Sequence, residues 1–383
     1  MYILIALTYY RPHYSGLTIY VERLARALAD QGHQVTVLTS RYSKELPTLE
    51  KLDGVEVRRL PVVLRISKGV IMPSMLIWAW RLARKADVIN VHVPQLDAAL
   101  IGLIGRLFGK PIFLTYHCDM RLPKGFIHSL ANLVSNIANY ISAQSANLII
   151  TNTRDYAENS PFLRRYLKKV RVIPPPITLP AVQEKDLIAF REKVGIKNGQ
   201  RVIGMAARLA SEKGVEYLVD AMPIILRKHP QARVLFVGQY QDVLGEEAYA
   251  QRLAPLIKQL GEHWTFLGVL PPTDFSAFLK TAQVTVLPSI NSTESFGMVQ
   301  IESMLSGTAV VASDLPGVRQ PVRETGMGLI VSPRDPVQLA NAIIDILDNP
   351  QNYRGDIEKI AQRYSPQQIA SEYEMLFHEL VEK

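Results

Sequence analysis

The chain has 383 residues, of which 48% are hydrophobic and 20% charged; this excludes a disordered or fibrous protein and allows about two domains that each bury a core. A single cysteine, Cys118, excludes an internal disulfide framework and fits a reducing compartment. The net charge of +8 is unevenly spread: residues 1–180 carry 23 Lys and Arg against 11 Asp and Glu, and residues 181–383 carry 20 against 24. An anionic partner is therefore expected for the first half alone, with nucleic acid and an anionic membrane surface both allowed by charge.

Met1 to Leu7 lacks a basic n-region and is too short for a signal-peptide core. No run approaches the roughly 20 apolar residues of a membrane helix. The longest candidate, Gly69 to Trp80, is interrupted by Pro73. The expected location is cytoplasmic, with a peripheral position on the inner face of the membrane as the alternative that the basic half permits.

Tyr2–Thr8 reads as a buried strand, Tyr9–Leu17 as a loop, and Thr18–Gln31 as an amphipathic helix stopped by Gly32. Gln34–Thr39 follows as a second strand. Further strands are expected at Val88–Val93, Ile112–Tyr116, Asn147–Thr151 and Val170–Ile173, separated by helices. Repeated strand–helix–strand units imply a parallel sheet with right-handed crossovers. A nicotinamide-binding turn would need G-x-G-x-x-G and an acid after the second strand. Gly16 stands alone and the second strand ends Thr39-Ser40-Arg41, so a dehydrogenase is rejected.

Pro174-Pro175-Pro176-Ile177-Thr178-Leu179-Pro180 is a stiff linker by composition. A second series of strands is expected beyond it, at Arg201–Ala207, Arg233–Val237, Thr265–Leu267, Val284–Leu287, Ala309–Ala312 and Leu329–Val331. Pro366 to Lys383 places Ile369, Tyr373, Leu376, Phe377 and Leu380 on one helical face.

Two stretches of the second half carry chemistry. Gly204 to Gly214 follows a strand and opens a helix, with Arg208 and Lys213 at the carboxyl edge where open α/β sheets bind ligands. Two cations there match the charge of a departing diphosphate without requiring a metal; the alternative is a pair of surface cations. Glu212 between them reads as a solvated neighbour or a local ion-pair partner. Pro288 to Glu302 also follows a strand. It places Glu294 in a polar loop, the N–H groups of Gly297 and Met298 at a helix start, and Glu302 about two turns into that helix. A helix start favours an anion, and flanking carboxylates suit a hydroxyl-rich ligand. Two solvated glutamates are the plainer alternative.

Together these stretches resemble the donor-site signatures of the retaining family 4 glycosyltransferases, the glycosyl transferases group 1. The resemblance covers most of the chain and is strongest from about Val202 to Val331. It implies an α/β fold of GT-B architecture, two doubly wound Rossmann-like domains facing a central cleft. Residues 1–178 then form the acceptor-side domain, 187–365 the nucleotide-sugar domain, and 366–383 a helix crossing back to the first domain. It further implies that Glu294 touches the donor sugar and Glu302 the ribose, and that Arg208 and Lys213 neutralise the diphosphate. Phe296, Gly297, Met298 and, through its backbone, Val269 are placed among the donor-binding residues. The co-substrate is a nucleoside-diphosphate sugar, and no cofactor or metal is expected.

In the first half, the family places a histidine after the strand that here ends Leu114-Thr115-Tyr116, so the resemblance implies that His117 contacts the sugar. A structural hydrogen-bonding role is the alternative. Asp119 either orients His117 or the acceptor, or is a solvated loop acid, and Cys118 reads as a small filler. Gly16 marks the first strand-to-helix turn, where backbone can approach a phosphate or the acceptor. Relatives commonly have two glycines there, whereas this chain has Leu17 at the second position. Pro316-Gly317-Val318 occupies a loop where many relatives carry Gly-Gly, and its function stays open.

Arg58, Arg59, Arg65, Lys68, Trp78, Trp80, Arg81, Arg84 and Lys85 mix cations with aromatics. They read either as a solvated basic face or as a membrane-surface patch that brings a lipid-linked acceptor to the enzyme. No nucleic-acid recognition motif accompanies the charge. The function expected is therefore retaining transfer of a hexose-type sugar to an acceptor hydroxyl, on a glycan or a lipid carrier. A sugar-nucleotide epimerase and a non-catalytic nucleotide-binding module are the alternatives.

Overall fold

A computed structural model of the chain describes residues 1–66, 69–119 and 126–382. Lys68 of the basic stretch and Lys383 at the chain end lie outside them. The chain divides into two compact units: residues 1–177 with 363–383, and residues 178–362.

The first unit is built on an eight-stranded sheet in the order Val170–Val172, Leu148–Thr151, Ile112–Tyr116, Val88–Val93, Tyr2–Ala6, Gln34–Arg41, Val55–Pro61, Leu49–Leu52. Every pairing is parallel except the last, which is antiparallel. Strands covered on both faces carry apolar side chains at successive positions. Leu4, Ile89, Val91, Ile112 and Leu114 enter one core. Their alternating neighbours, among them Phe113, face the other side, where Phe377 meets Phe113 at 4.8 Å between ring centroids. Helices Gly16–Asp30 and Pro366–Val381 pack together on that side, tied by Tyr20 and Tyr373, whose hydroxyls are 2.8 Å apart.

The helix after the first strand begins at Gly16, two residues before the expected start, because Ser15 caps it: Ser15 Oγ accepts from the Thr18 N–H at 3.2 Å. Strands Leu49–Leu52 and Val55–Pro61 were not expected from periodicity. They bury Arg59 to 1% exposure, where it pairs with Glu50 and donates to the Arg11 carbonyl at 2.7 Å. Arg59 is therefore an internal strut and is removed from the basic face.

The second unit has six parallel strands in the order Trp264–Gly268, Ala232–Val237, Arg201–Ala206, Val284–Leu287, Ala309–Ser313, Gly328–Val331. In chain order this is 3-2-1-4-5-6, the doubly wound arrangement. Ile203 and Met205 point into a core with Leu218, Leu339 and Ile343, while Val202 faces Phe190 and Phe278 on the other side. Each such apolar side chain stabilises the fold by about 1.5–3 kcal/mol relative to exposure.

Candidate active site

The order in which strands are added across the second sheet switches sides between its first strand, Arg201–Ala206, and its fourth, Val284–Leu287, which are direct and parallel neighbours. At such a switch point, outside the carboxyl ends of the strands, open α/β sheets bind their ligands. The loops after these two strands carry Arg208, Lys213 and Glu294.

The loops lock together. The Ile290 N–H donates to the Glu212 carbonyl at 3.0 Å. Lys213 Nζ reaches Glu294 Oε2 at 2.5 Å, with both side chains largely covered. Arg208 pairs with Glu212 at 2.9 Å, which settles Glu212 as a local ion-pair partner. Gly214 allows this approach: its φ is +64°, and a Cβ there would lie 2.1 Å from the Pro288 carbonyl oxygen. The loop ahead of Glu294 is shaped by Asn291, whose Oδ1 accepts from the Thr293 N–H at 3.0 Å.

Helix Met298–Leu305 begins after Gly297, which has a φ of +77°. A Cβ at Gly297 would come within 2.2 Å of Leu287, so the turn requires glycine. The first N–H groups of any α-helix lack an intrahelical acceptor. Glu302 is the fifth residue of the helix, little more than one turn inside it instead of two, and is 7% exposed. The Phe296 ring is also buried, at 3% exposure, so its side chain belongs to the core. Its carbonyl accepts from Gln300 Nε2 at 2.7 Å, and the same amide donates to the Val318 carbonyl at 2.9 Å. Gln300 thus ties the 296–298 turn to the Pro316-Gly317-Val318 loop, a role its sequence position did not reveal. Val269 is 65% exposed beyond Gly268, whose carbonyl accepts from the Gly238 N–H at 2.8 Å.

Gly16 and His117 belong to the first unit. His117 follows strand Ile112–Tyr116 and its Nε2 lies 2.9 Å from Nδ1 of His92, on the neighbouring strand. The Tyr20 ring meets His117 edge-on at 4.8 Å. Burial pushes the His117 pKa down to about 3 and that of His92 well below the usual histidine range, so both rings are neutral at pH 7. Below them, Thr115 Oγ1 donates to Asn90 Oδ1 at 2.9 Å and lies 3.1 Å from the Tyr373 hydroxyl. Asn90 and His92 are two polar residues at alternate positions of an otherwise apolar strand, the one local sign of this seam.

Asp119 is buried, and its Oδ1 accepts from the Tyr116 hydroxyl at 2.8 Å and from Ser160 Oγ at 2.7 Å. Its N–H donates to the Tyr156 hydroxyl at 2.7 Å. It anchors the loop, which corrects both the solvated and the histidine-orienting expectations. Burial beside this carboxylate pushes the Tyr116 and Tyr156 phenols far up.

At the amino end of the first sheet, Arg58 stacks on Trp78 at 3.9 Å, and Arg81 lies 5.2 Å from the same ring. With Trp80, Arg84 and Lys85 they line a depression of about 680 Å³. Leu76 and Ile77 on the same helix, and Leu103 and Leu107 on the helix packed beside it, are exposed. Among the described residues, no helix is long and apolar enough to cross a membrane.

Residues 187–364 match the family Glycosyl transferases group 1, and residues 15–176 match the Glycosyl transferase 4-like domain. Sucrose-phosphate synthase from Thermosynechococcus elongatus superposes with a TM-score of 0.76 at 23% identity, covering 99% of this chain and 98% of that one. The Anabaena protein HepE, solved in complex with UDP-glucose, gives 0.76 at 23% identity over 98% and 99%. These neighbours define the fold as GT-B. A D-inositol 3-phosphate glycosyltransferase of Acidothermus cellulolyticus is 30% identical over 365 residues, 87% of this chain and 78% of that relative. The chain belongs to the glycosyl transferases group 1, the GT4-type glycosyltransferases.

Proposed function

We propose that the enzyme transfers a hexose-type sugar from a nucleoside-diphosphate sugar to an acceptor hydroxyl with retention of anomeric configuration. The observation that carries this is the Lys213–Glu294 pair at the switch point of the second sheet, where a cation for a diphosphate and a carboxylate for a sugar hydroxyl are held together. Arg208 and Lys213 would hold the diphosphate, Glu294 the sugar, Glu302 the ribose, and His117 and Gly16 would serve from the first unit. The helix start at Gly297 and Met298 adds its dipole to the stabilisation of the leaving group. On this reading residues 187–365 are the donor side and 1–178 the acceptor side, with the terminal helix crossing back.

The C1–O bond to the diphosphate breaks as the acceptor oxygen bonds to C1 from the same face. The acceptor proton passes to a phosphate oxygen of the leaving group, so no side chain need act as nucleophile and Glu294 remains a binding group. Cations supply the charge stabilisation, and no metal or cofactor enters the scheme.

Solved HepE complexes with UDP and UDP-glucose support a sugar nucleotide as the donor. The basic, tryptophan-lined depression and the exposed apolar residues beside it favour a lipid-linked acceptor reached at an anionic membrane surface.

A thermal-shift panel of uridine, guanosine and adenosine diphosphate sugars tests the donor, since a bound ligand stabilises the native state by mass action. Incubation with the stabilising donor alone separates an epimerase from a transferase, and the anomeric coupling in the product reads retention. No shift with any sugar nucleotide, or an inverted product, would remove the proposal.

A further inference from the structure

His92 and His117 meet nitrogen to nitrogen, and two neutral imidazoles in that arrangement place one proton between them. The contact is 2.9 Å, with the ring planes 24° apart. Either His92 Nδ1–H donates to His117 Nε2, or His117 Nε2–H donates to His92 Nδ1. The second arrangement forces the proton of His92 onto its own Nε2. That atom is buried and has no hydrogen-bond partner among the described residues, in a side chain with no exposed surface. An orphaned buried N–H is rarer in folded proteins than an acceptor with an unused lone pair. The first arrangement leaves only a lone pair there. It also obliges His117 to carry its proton on Nδ1, the nitrogen that His92 does not engage. Burial supports the neutral state of both rings. The edge of Tyr20, itself held by Tyr373, fixes the plane of the His117 ring.

We propose that His92 is a positioning residue that locks His117 in the Nδ1–H tautomer, so that His117 presents a hydrogen-bond donor at the carboxyl edge of its strand. A hydroxyl or phosphate oxygen of a sugar nucleotide accepts such a bond, whereas the opposite tautomer would reject a phosphate oxygen. The consequence for transfer rests on the reading of His117 as a sugar contact; the tautomer does not.

The full chain, labelled with nitrogen-15 at histidine, gives the tautomer of each ring from long-range proton–nitrogen correlation spectra. The expected spectrum has a protonated Nδ1 and a bare Nε2 at His117. In His92→Leu the bare Nε2 loses its donor, and His117 should shift toward the Nε2–H form. In His92→Asn the side-chain amide nitrogen takes the place of Nδ1, and the original tautomer should return. Transfer should fall roughly five- to tenfold in His92→Leu, the scale of one hydrogen bond, and recover in His92→Asn. A wild-type His117 protonated at Nε2, or an unchanged Nδ1–H in folded His92→Leu, overturns the proposal. Should His92→Leu fail to fold, the wild-type spectrum alone decides it. The expected tautomers with unchanged transfer in both variants would uphold the positioning and instead remove His117 from the donor site.

Discussion

Lys213 Nζ lies 2.5 Å from Glu294 Oε2, across 81 residues of sequence. The cation proposed for the diphosphate is thus already held by the carboxylate proposed for the sugar. An incoming diphosphate must share Lys213 with Glu294, and the two substitutions should therefore separate binding from transfer. In Glu294→Gln the competing charge is gone, so a nucleoside diphosphate should bind several-fold tighter while transfer falls by roughly tenfold or more. Lys213→Ala and Arg208→Ala should weaken nucleoside-diphosphate binding and each reduce transfer by on the order of 10²-fold. Titration calorimetry and steady-state kinetics read both quantities. If Glu294→Gln weakened the diphosphate as much as Lys213→Ala, the proposed division between the two residues would be wrong.

Charge at the diphosphate is carried by side chains in this scheme, so transfer should survive prolonged chelator treatment. A complete loss of activity that a divalent cation restores would assign the leaving-group charge to a metal instead.

The close approach of the two site loops depends on Gly214. A methyl group there meets backbone, the Pro288 carbonyl, at 2.1 Å, in addition to the cost of a positive φ. Gly245 also has a positive φ, +79°, but opens onto empty space. Gly245→Ala should therefore cost about 1 kcal/mol, the backbone penalty alone, and Gly214→Ala distinctly more, about 2–3 kcal/mol, with loss of donor binding. Denaturant unfolding of the two variants checks the difference. Equal losses would mean that the contact between the loops is easily relieved.

Arg58, Arg81, Arg84 and Lys85 surround Trp78 and Trp80 on one surface of the first unit, with Leu76 and Ile77 exposed nearby. A basic surface gains about 1 kcal/mol per Lys or Arg near an anionic bilayer, and salt screens it within a Debye length of about 10 Å at 0.1 M. Sedimentation should show more binding to phosphatidylglycerol vesicles than to phosphatidylcholine vesicles, and a steep fall with salt. Serine at Arg81, Arg84 and Lys85 should weaken the salt-sensitive part, and serine at Leu76 and Ile77 the remainder. Equal recovery with both vesicle types, or none with either, would leave this surface solvated and favour an acceptor free in solution.

Apolar, β-branched runs such as Val284–Leu287 announce buried parallel strands, because a strand covered on both faces has no polar side to show. Hence the strand–loop–helix series was legible in the chain itself, as were a unit boundary within the proline-rich stretch, between Ile177 and Thr178, and the resemblance carried by the loops after Ala206 and Leu287. Local pattern reports local backbone and little else. It did not reveal that Val55–Pro61 is a strand, since the alternation of Val55, Glu56, Val57 and Arg58 breaks at Arg59, a charged residue at an inward position that finds its partner in Glu50 only after folding. Nor did it show that the Phe296 ring is core, or that Asp119 is enclosed by Tyr116, Tyr156 and Ser160. Lys213 meets Glu294, and His92 meets His117, because crossover helices make the strands ahead of them neighbours. Which strands become neighbours is decided by how those helices pack on the sheet, and that choice sums over the whole unit. Sequence therefore determined which residue types stand at the strand ends; only the tertiary structure decided which of them touch.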